Sequence, residues 1–341
     1  MTPRSVLVVR LSSLGDVVLT APVFDNLRRA WPEARLTLLV KKAFAPALAG
    51  HPAVHELLMF EDLGVWGALR EIRRRRFDVL VDLHDTLRSR IWAMFSGAGR
   101  VVRYRKRAWA RRLLVCFKRP SSDLAGKTVD RYLETLAVLG VDVRDRAPRL
   151  PAPADGLPAA AAALGAGPWI VLSPGALHAT KRWPAERFAA AADRLAEGFR
   201  SAGGAAPTVL LVGSPSDRPS AEAVLETLQG PALNLTGRTS LKELMALLSR
   251  AAVLLCNDSG AMHLGAALGV PTVAVFGPTV EAFGFFPSGE KTAVVQNAGL
   301  ACRPCSLHGG RRCPKKHFRC MTDVTVDRVV AEARRLLGAA S

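Results

Sequence analysis

The first strand-to-helix turn of this chain is poor in glycine. Turns that cradle the phosphates of a dinucleotide carry several glycines so that the backbone can come close. Here "RLSSLGDVVLTAP" (10–22) has only Gly15, followed by Asp16, a carboxylate where an anion would otherwise sit. That argues against a dinucleotide-dependent oxidoreductase. No internal repeat and no low-complexity tract stands out. Aromatic residues are few, 6%, against 49% apolar residues overall, which suits packed helices and strands. The stretch 261–280 has no Asp, Glu, Lys or Arg and is as long as a membrane span, but Gly265, Gly269 and Pro271 divide it into a short helix and a strand. The opening apolar run, Val6–Val9, is short and meets Arg10 at once, so no secretory signal is read and a cytoplasmic protein is expected.

Acidic residues are scarce where basic ones collect. The net charge is +18, and residues 1–150 hold 28 Lys/Arg against 15 Asp/Glu. Much of the excess lies in "EIRRRRFD" (71–78) and "RVVRYRKRAWARRLLVCFKR" (100–119). A single basic run reads as a solvated face. The whole half points to an acidic partner: nucleic acid, an anionic membrane surface or an anionic substrate.

The 341 residues are enough for two domains with their own cores. Residues 6–9, 36–40, 54–59, 79–82 and 100–104 read as buried strands separated by helical patterns such as 16–30. After the Pro/Ala-rich stretch 144–160, strands are expected at 169–173, 208–213, 233–236, 252–256 and 271–276, with helices at 185–200, 217–229, 240–250 and 260–268. Strands alternating with helices imply parallel sheets covered on both faces. The expected class is therefore α/β, with domains at 1–150 and 151–341 and a ligand cleft at the carboxyl ends of their strands.

Two stretches carry chemistry. In "VLLCNDSGAMHLGAALGVPTVAVFGPT" (253–279) a strand ends at Asn257 and Asp258, and Ser259 and Gly260 open a helix. Unpaired backbone N–H groups there suit a diphosphate. Asp258 or Ser259 alone reads equally as an N-cap, and His263 as a core histidine. In "VLSPGALHATKRWPAERF" (171–188) the strand is followed by His178, Thr180, Lys181 and Arg182 before Pro184 starts a helix. A lysine about 4 Å from a phosphate oxygen is attracted by about 4 kcal/mol at an effective dielectric of 20, help that a charged leaving group needs.

These pieces, with "DVLVDLHDTLRS" (78–89) and the cysteine segment near the end, resemble the family 9 glycosyltransferases, the ADP-heptose:lipopolysaccharide heptosyltransferases, along essentially the whole chain. The resemblance implies a GT-B fold of two Rossmann-like domains, with acceptor held mainly by the first and nucleotide sugar by the second. The C-terminal helix would pack back on the first domain. It implies inverting, metal-independent transfer of heptose from ADP-heptose to the lipopolysaccharide inner core, with no cofactor. By it, Asp16 is the general base, and Lys181 acts in catalysis and donor binding. Thr180, Asp217, Asp258, Ser259, Gly260 and His263 contact the donor, and Arg10, Ser13 and Gly15 the acceptor. Asp16 also reads as a helix-start residue favoured by the dipole. No Asp-x-Asp pair occurs in the chain, which fits a diphosphate held by lysine and a helix dipole. A lipid A acceptor would place the enzyme at the cytoplasmic face of the inner membrane, with the basic runs steering it there.

Residues 302–321, "CRPCSLHGGRRCPKKHFRCM", hold Cys302, Cys305, Cys313 and Cys320 with His308 and His317. A structural metal and free or paired thiols are both open readings; the site assignment carries no metal. Other readings are a different GT-B transferase or epimerase, and a basic nucleic-acid-binding protein with a zinc module. The last leaves both cleft motifs without a purpose, so no nucleic-acid partner is assigned.

Overall fold

The computed structural model describes residues 2–338 except 120, 166, 202 and 204. Each expected strand is present: β1 (Ser5–Val9), β2 (Arg35–Val40), β3 (Glu56–Met59), β4 (Val79–Asp82) and β5 (Arg100–Arg103), then β6 (Trp169–Ser173), β7 (Thr208–Leu211), β8 (Ala232–Asn234), β9 (Ala251–Asn257) and β10 (Thr272–Phe276). An eleventh, β11 (Thr292–Gln296), was not expected. All neighbouring strands run parallel, in two sheets of order β3-β2-β1-β4-β5 and β11-β10-β9-β6-β7-β8.

The chain divides into two compact units, residues 1–108 with 126–151, and 109–125 with 152–341. The first contains α1 (Leu14–Val18), α2 (Ala21–Ala30), α3 (Phe60–Arg75) and α4 (Leu87–Phe95), and α6 (Thr128–Val138) follows α5 (Ala108–Phe117). The expected helix 16–30 is two helices. Helix α1 stops at Val18, and Pro22 sits in the first turn of α2, where its missing N–H costs nothing. Val6, Leu7 and Val8 are fully buried, as a central parallel strand covered on both faces requires. Each such side chain contributes roughly 1.5–3 kcal/mol.

The second unit contains α7 (Ala159–Ala162), α8 (Ala185–Ser201), α9 (Arg218–Leu225), α10 (Leu241–Ser249), α11 (Gly260–Ala267), α12 (Arg319–Thr322) and α13 (Val326–Leu337). The C-terminal helix α13 packs on α8 and on β9, β10 and β11 of its own unit; Val329, Val330 and Ala333 are buried in that core. Residues 109–125 also belong to the second unit, because Leu114 and Leu124 share a small core with Phe283.

In each sheet the chain order reverses once, between β1 and β4 in the first and between β6 and β9 in the second. Loops leaving neighbouring strands there run to opposite sides and open a crevice at their carboxyl ends, the usual ligand position in such sheets.

Candidate active site

In the first unit, the loop after β1 presents Arg10, Ser13, Gly15 and Asp16 at the crevice position. Asp16 is the third residue of α1 and completes a capping box with Ser13. Its Oδ2 accepts from the Ser13 backbone N–H at 3.1 Å and from Ser13 Oγ at 2.9 Å. Its Oδ1 accepts from the Arg10 guanidinium at 2.7 Å and from the Tyr132 hydroxyl at 3.1 Å. All of the roughly four acceptor positions of a carboxylate are in use. Burial alone would raise this carboxyl, but Arg10 and the Ser13 hydrogen bonds outweigh it and hold Asp16 below the ordinary carboxylate value.

The chain has two tyrosines, and both are here. Tyr104 and Tyr132 are buried edge to face at 4.9 Å, and Arg10 lies over the Tyr132 ring at 5.4 Å. The loop after β4 closes the neighbourhood. The buried Asp82 accepts from the His84 and Asp85 backbone N–H groups at 2.9 and 3.0 Å, fixing the turn. His84 Nδ1 is buried without a hydrogen-bond partner. Burial, then Arg10 and Lys106, push the imidazole down to about 4, so it is neutral at physiological pH. Lys106 is itself lowered, by burial and then by Arg10. The local field is cationic, as an anionic ligand would need.

In the second unit, the loops after β6 and β9 are joined by Asn257, which donates to Pro174 O at 2.8 Å and accepts from Trp183 N–H at 3.0 Å. This positions Lys181, whose Nζ lies 2.6 Å from Asp258 Oδ2; Thr279 Oγ1 donates to the same oxygen at 2.7 Å. Ser259 is the N-cap of α11, yet its hydroxyl makes no capping bond and is buried without a partner. An unpaired buried hydroxyl at a helix N-terminus, one residue after the carboxylate that holds an ammonium group, is a coherent anion site. Gly260 opens α11, and His263 is buried in its first turn.

Two expected donor ligands have hydrogen-bond partners within the protein. Thr180 Oγ1 donates to Gly310 O at 3.1 Å and accepts from Gly310 N–H at 2.8 Å, so this hydroxyl fastens the Lys181 loop to the cysteine segment. Asp217 Oδ2 accepts from Ser214 N–H and Oγ at 2.9 and 2.6 Å. It sits so close to Gly175 that a Cβ added there would lie 2.1 Å from the Asp217 carboxyl carbon; only glycine fits. Cys302, Cys305, Cys313 and Cys320 are free thiols. Burial and the neighbouring thiols raise Cys320 to about 11. Among the described residues, no group of three or more His, Cys, Asp or Glu is arranged to hold a metal. The sequence reading missed Tyr132, which reaches Asp16 from α6, and the closure by His84 and Lys106; the rarity of tyrosine was the available signal for the first.

The model of glycosyltransferase family 9 (heptosyltransferase) matches residues 65–315. The chain is 28% identical over 320 residues to lipopolysaccharide heptosyltransferase 1 of Pseudomonas aeruginosa, covering 88% of this chain and 85% of that protein. It is 27% identical over 304 residues to lipooligosaccharide heptosyltransferase 2 of Haemophilus influenzae, covering 81% and 84%. A family 9 glycosyltransferase structure from Veillonella parvula superposes with a TM-score of 0.77 at 24% identity, covering 98% of this chain and 97% of that one. The E. coli ADP-heptose lps heptosyltransferase II does so with 0.75 at 22%, covering 98% of each. The architecture is GT-B. The chain belongs to glycosyltransferase family 9.

Proposed function

We propose that this family 9 glycosyltransferase moves a heptose from ADP-heptose to a sugar of the lipopolysaccharide inner core, with inversion and without a metal. The named relatives supply the sugar and the acceptor class, and a structural neighbour described with bound ADP supports the nucleotide. One observation in this chain carries the chemistry: the Ser259 hydroxyl, buried without a partner where α11 opens, next in the chain to the Asp258 that pairs with Lys181. The departing diphosphate draws Lys181 from Asp258 and accepts from Ser259 Oγ and the first N–H groups of α11. A lysine and a helix dipole supply the positive charge that a divalent cation provides in other transferases.

Asp16 receives the acceptor proton. Its acceptor positions are full, so one donor yields as the acceptor hydroxyl arrives. Ser13 Oγ can rotate away while the Ser13 N–H keeps Oδ2 in place, and Arg10 and Tyr132 keep Oδ1. A carboxylate held this acidic is a weak base, and it takes the proton late, after the bond to the anomeric carbon has largely formed. Arg10, His84 and Lys106 supply the environment for an anionic acceptor. That acceptor is a lipid, which sets the enzyme at the cytoplasmic face of the membrane that carries it; among the described residues no helix is long and apolar enough to cross one. The experiment is a panel of nucleotide sugars with a core acceptor, run with and without chelator. Turnover of ADP-heptose that survives chelation is the expected result. Turnover only of another donor, or dependence on added metal, overturns the reading.

A further inference from the structure

Helix α5 has two unlike faces. Inward, Ala110, Leu114 and Val115 lie with Leu124, Val280 and Phe283 in a small core, and Arg111 stacks on Phe285 at 5.2 Å. Outward, Trp109, Leu113 and Phe117 stand 75%, 51% and 65% exposed. Their i, i+4, i+8 spacing places them on one stripe about 80° wide. Arg112 lies over the Trp109 ring at 5.4 Å, and it is exposed, as are Lys118 and Arg119. Residues 100–119 hold nine Lys/Arg and no Asp or Glu.

The two features together select the occupant. A nucleic-acid duplex would use the cations and leave the apolar stripe in water, and a single strand stacking on Trp109 and Phe117 would leave Leu113 between them without a partner. An apolar protein surface would use the stripe and gain nothing from so many uncompensated positive charges. The headgroup region of an anionic bilayer uses both: aromatic and leucine side chains enter the boundary between headgroup and acyl chain, and the arginines stay at the phosphates. We propose that α5 is an interfacial helix that seats Trp109, Leu113 and Phe117 in an anionic bilayer, with Arg112 and Arg119 on the lipid phosphates. The inference deepens the proposed function, resting on it for the purpose of the contact, which brings the enzyme to a lipid-borne acceptor.

The test uses the full-length protein and vesicles without any acceptor, made of phosphatidylglycerol and phosphatidylcholine in equal parts or of phosphatidylcholine alone. The intact protein is expected to float with the anionic vesicles and at most weakly with the zwitterionic ones, and high salt should weaken the binding. Trp109→Ser combined with Leu113→Ser and Phe117→Ser should reduce binding by about tenfold or more. Arg112→Glu with Arg119→Glu should reduce it by a smaller factor that salt removes. An unchanged melting temperature and unchanged turnover of a deacylated, water-soluble acceptor would show that the variants are folded. Failure of the intact protein to bind anionic vesicles, or binding by the triple variant equal to it, overturns the assignment; a protein partner for the stripe would give the first of these results. Loss of all transferase activity with vesicle binding intact would instead sink the functional reading and leave the helix assignment standing.

Discussion

The two units place chemistry at the same architectural position and arrange it in opposite ways. In the first, Asp16 is saturated: four donors fix both oxygens. In the second, Lys181 has a carboxylate to leave, and Ser259 has a hydroxyl with nothing to bond. The difference separates two demands on an active site. A group proposed to take a proton at one geometry is held from all sides. A pocket that must accept and release a charged ligand keeps weakly committed groups at hand.

Replacing each group sharpens the contrast. Asp16→Asn keeps the shape and removes the proposed base, and kcat should fall about 1,000-fold with donor KM nearly unchanged; steady-state kinetics at saturating acceptor would show a base elsewhere if the rate survives. Lys181→Ala should weaken ADP binding by roughly 100-fold in calorimetry. It also takes the cation from the buried Asp258, so the melting temperature should drop, at a cost of about 3 kcal/mol. Ser259→Ala should weaken ADP binding by about tenfold while leaving thermal stability equal or slightly higher, since the hydroxyl it removes has no partner in the free protein. Equal loss of stability and affinity would show that the hydroxyl serves the fold.

The smallest effects concern the Asp16 clamp. Tyr132→Phe should reduce kcat about fivefold and move the acid limb of the pH–rate profile upward, because one hydrogen bond to the charged form is lost. Ser13→Ala keeps the Ser13 N–H bond and removes only the rotating hydroxyl, so its rate should stay within about twofold if that hydroxyl gives way to the acceptor. The sign of the linked stability is fixed. The folded carboxyl of Asp16 titrates below its ordinary value of 3.8, so the unfolded chain binds more protons in that window. The contribution is complete above the ordinary value and is lost as pH falls through the folded one. Acid unfolding of Asp16→Asn should lack this component.

Most of the frame was legible because parallel strands buried on both faces read as continuous apolar runs. Strand β11 was not, because "TAVVQ" is a half-buried edge strand following an irregular stretch. Asp16, Lys181, Asp258 and Ser259 were legible as polar residues following strands, and the structure places them after β1, β6 and β9. Tyr132 was hidden because it arrives from a helix 116 positions away. The bond between Thr180 and Gly310 was hidden because its partner lies 130 positions later. The membership of residues 109–125 in the second unit is hidden likewise; it depends on Leu114 and Leu124 meeting Phe283.

That clasp between Thr180 and Gly310 bears on biosynthesis. A chain emerging amino end first must extend through Gly310 before the lysine-bearing loop has its anchor. A fragment released short of that glycine would lack the fastening of that loop, whatever strands it had already assembled. Such a product should recognise nucleotide poorly even where its first unit is sound.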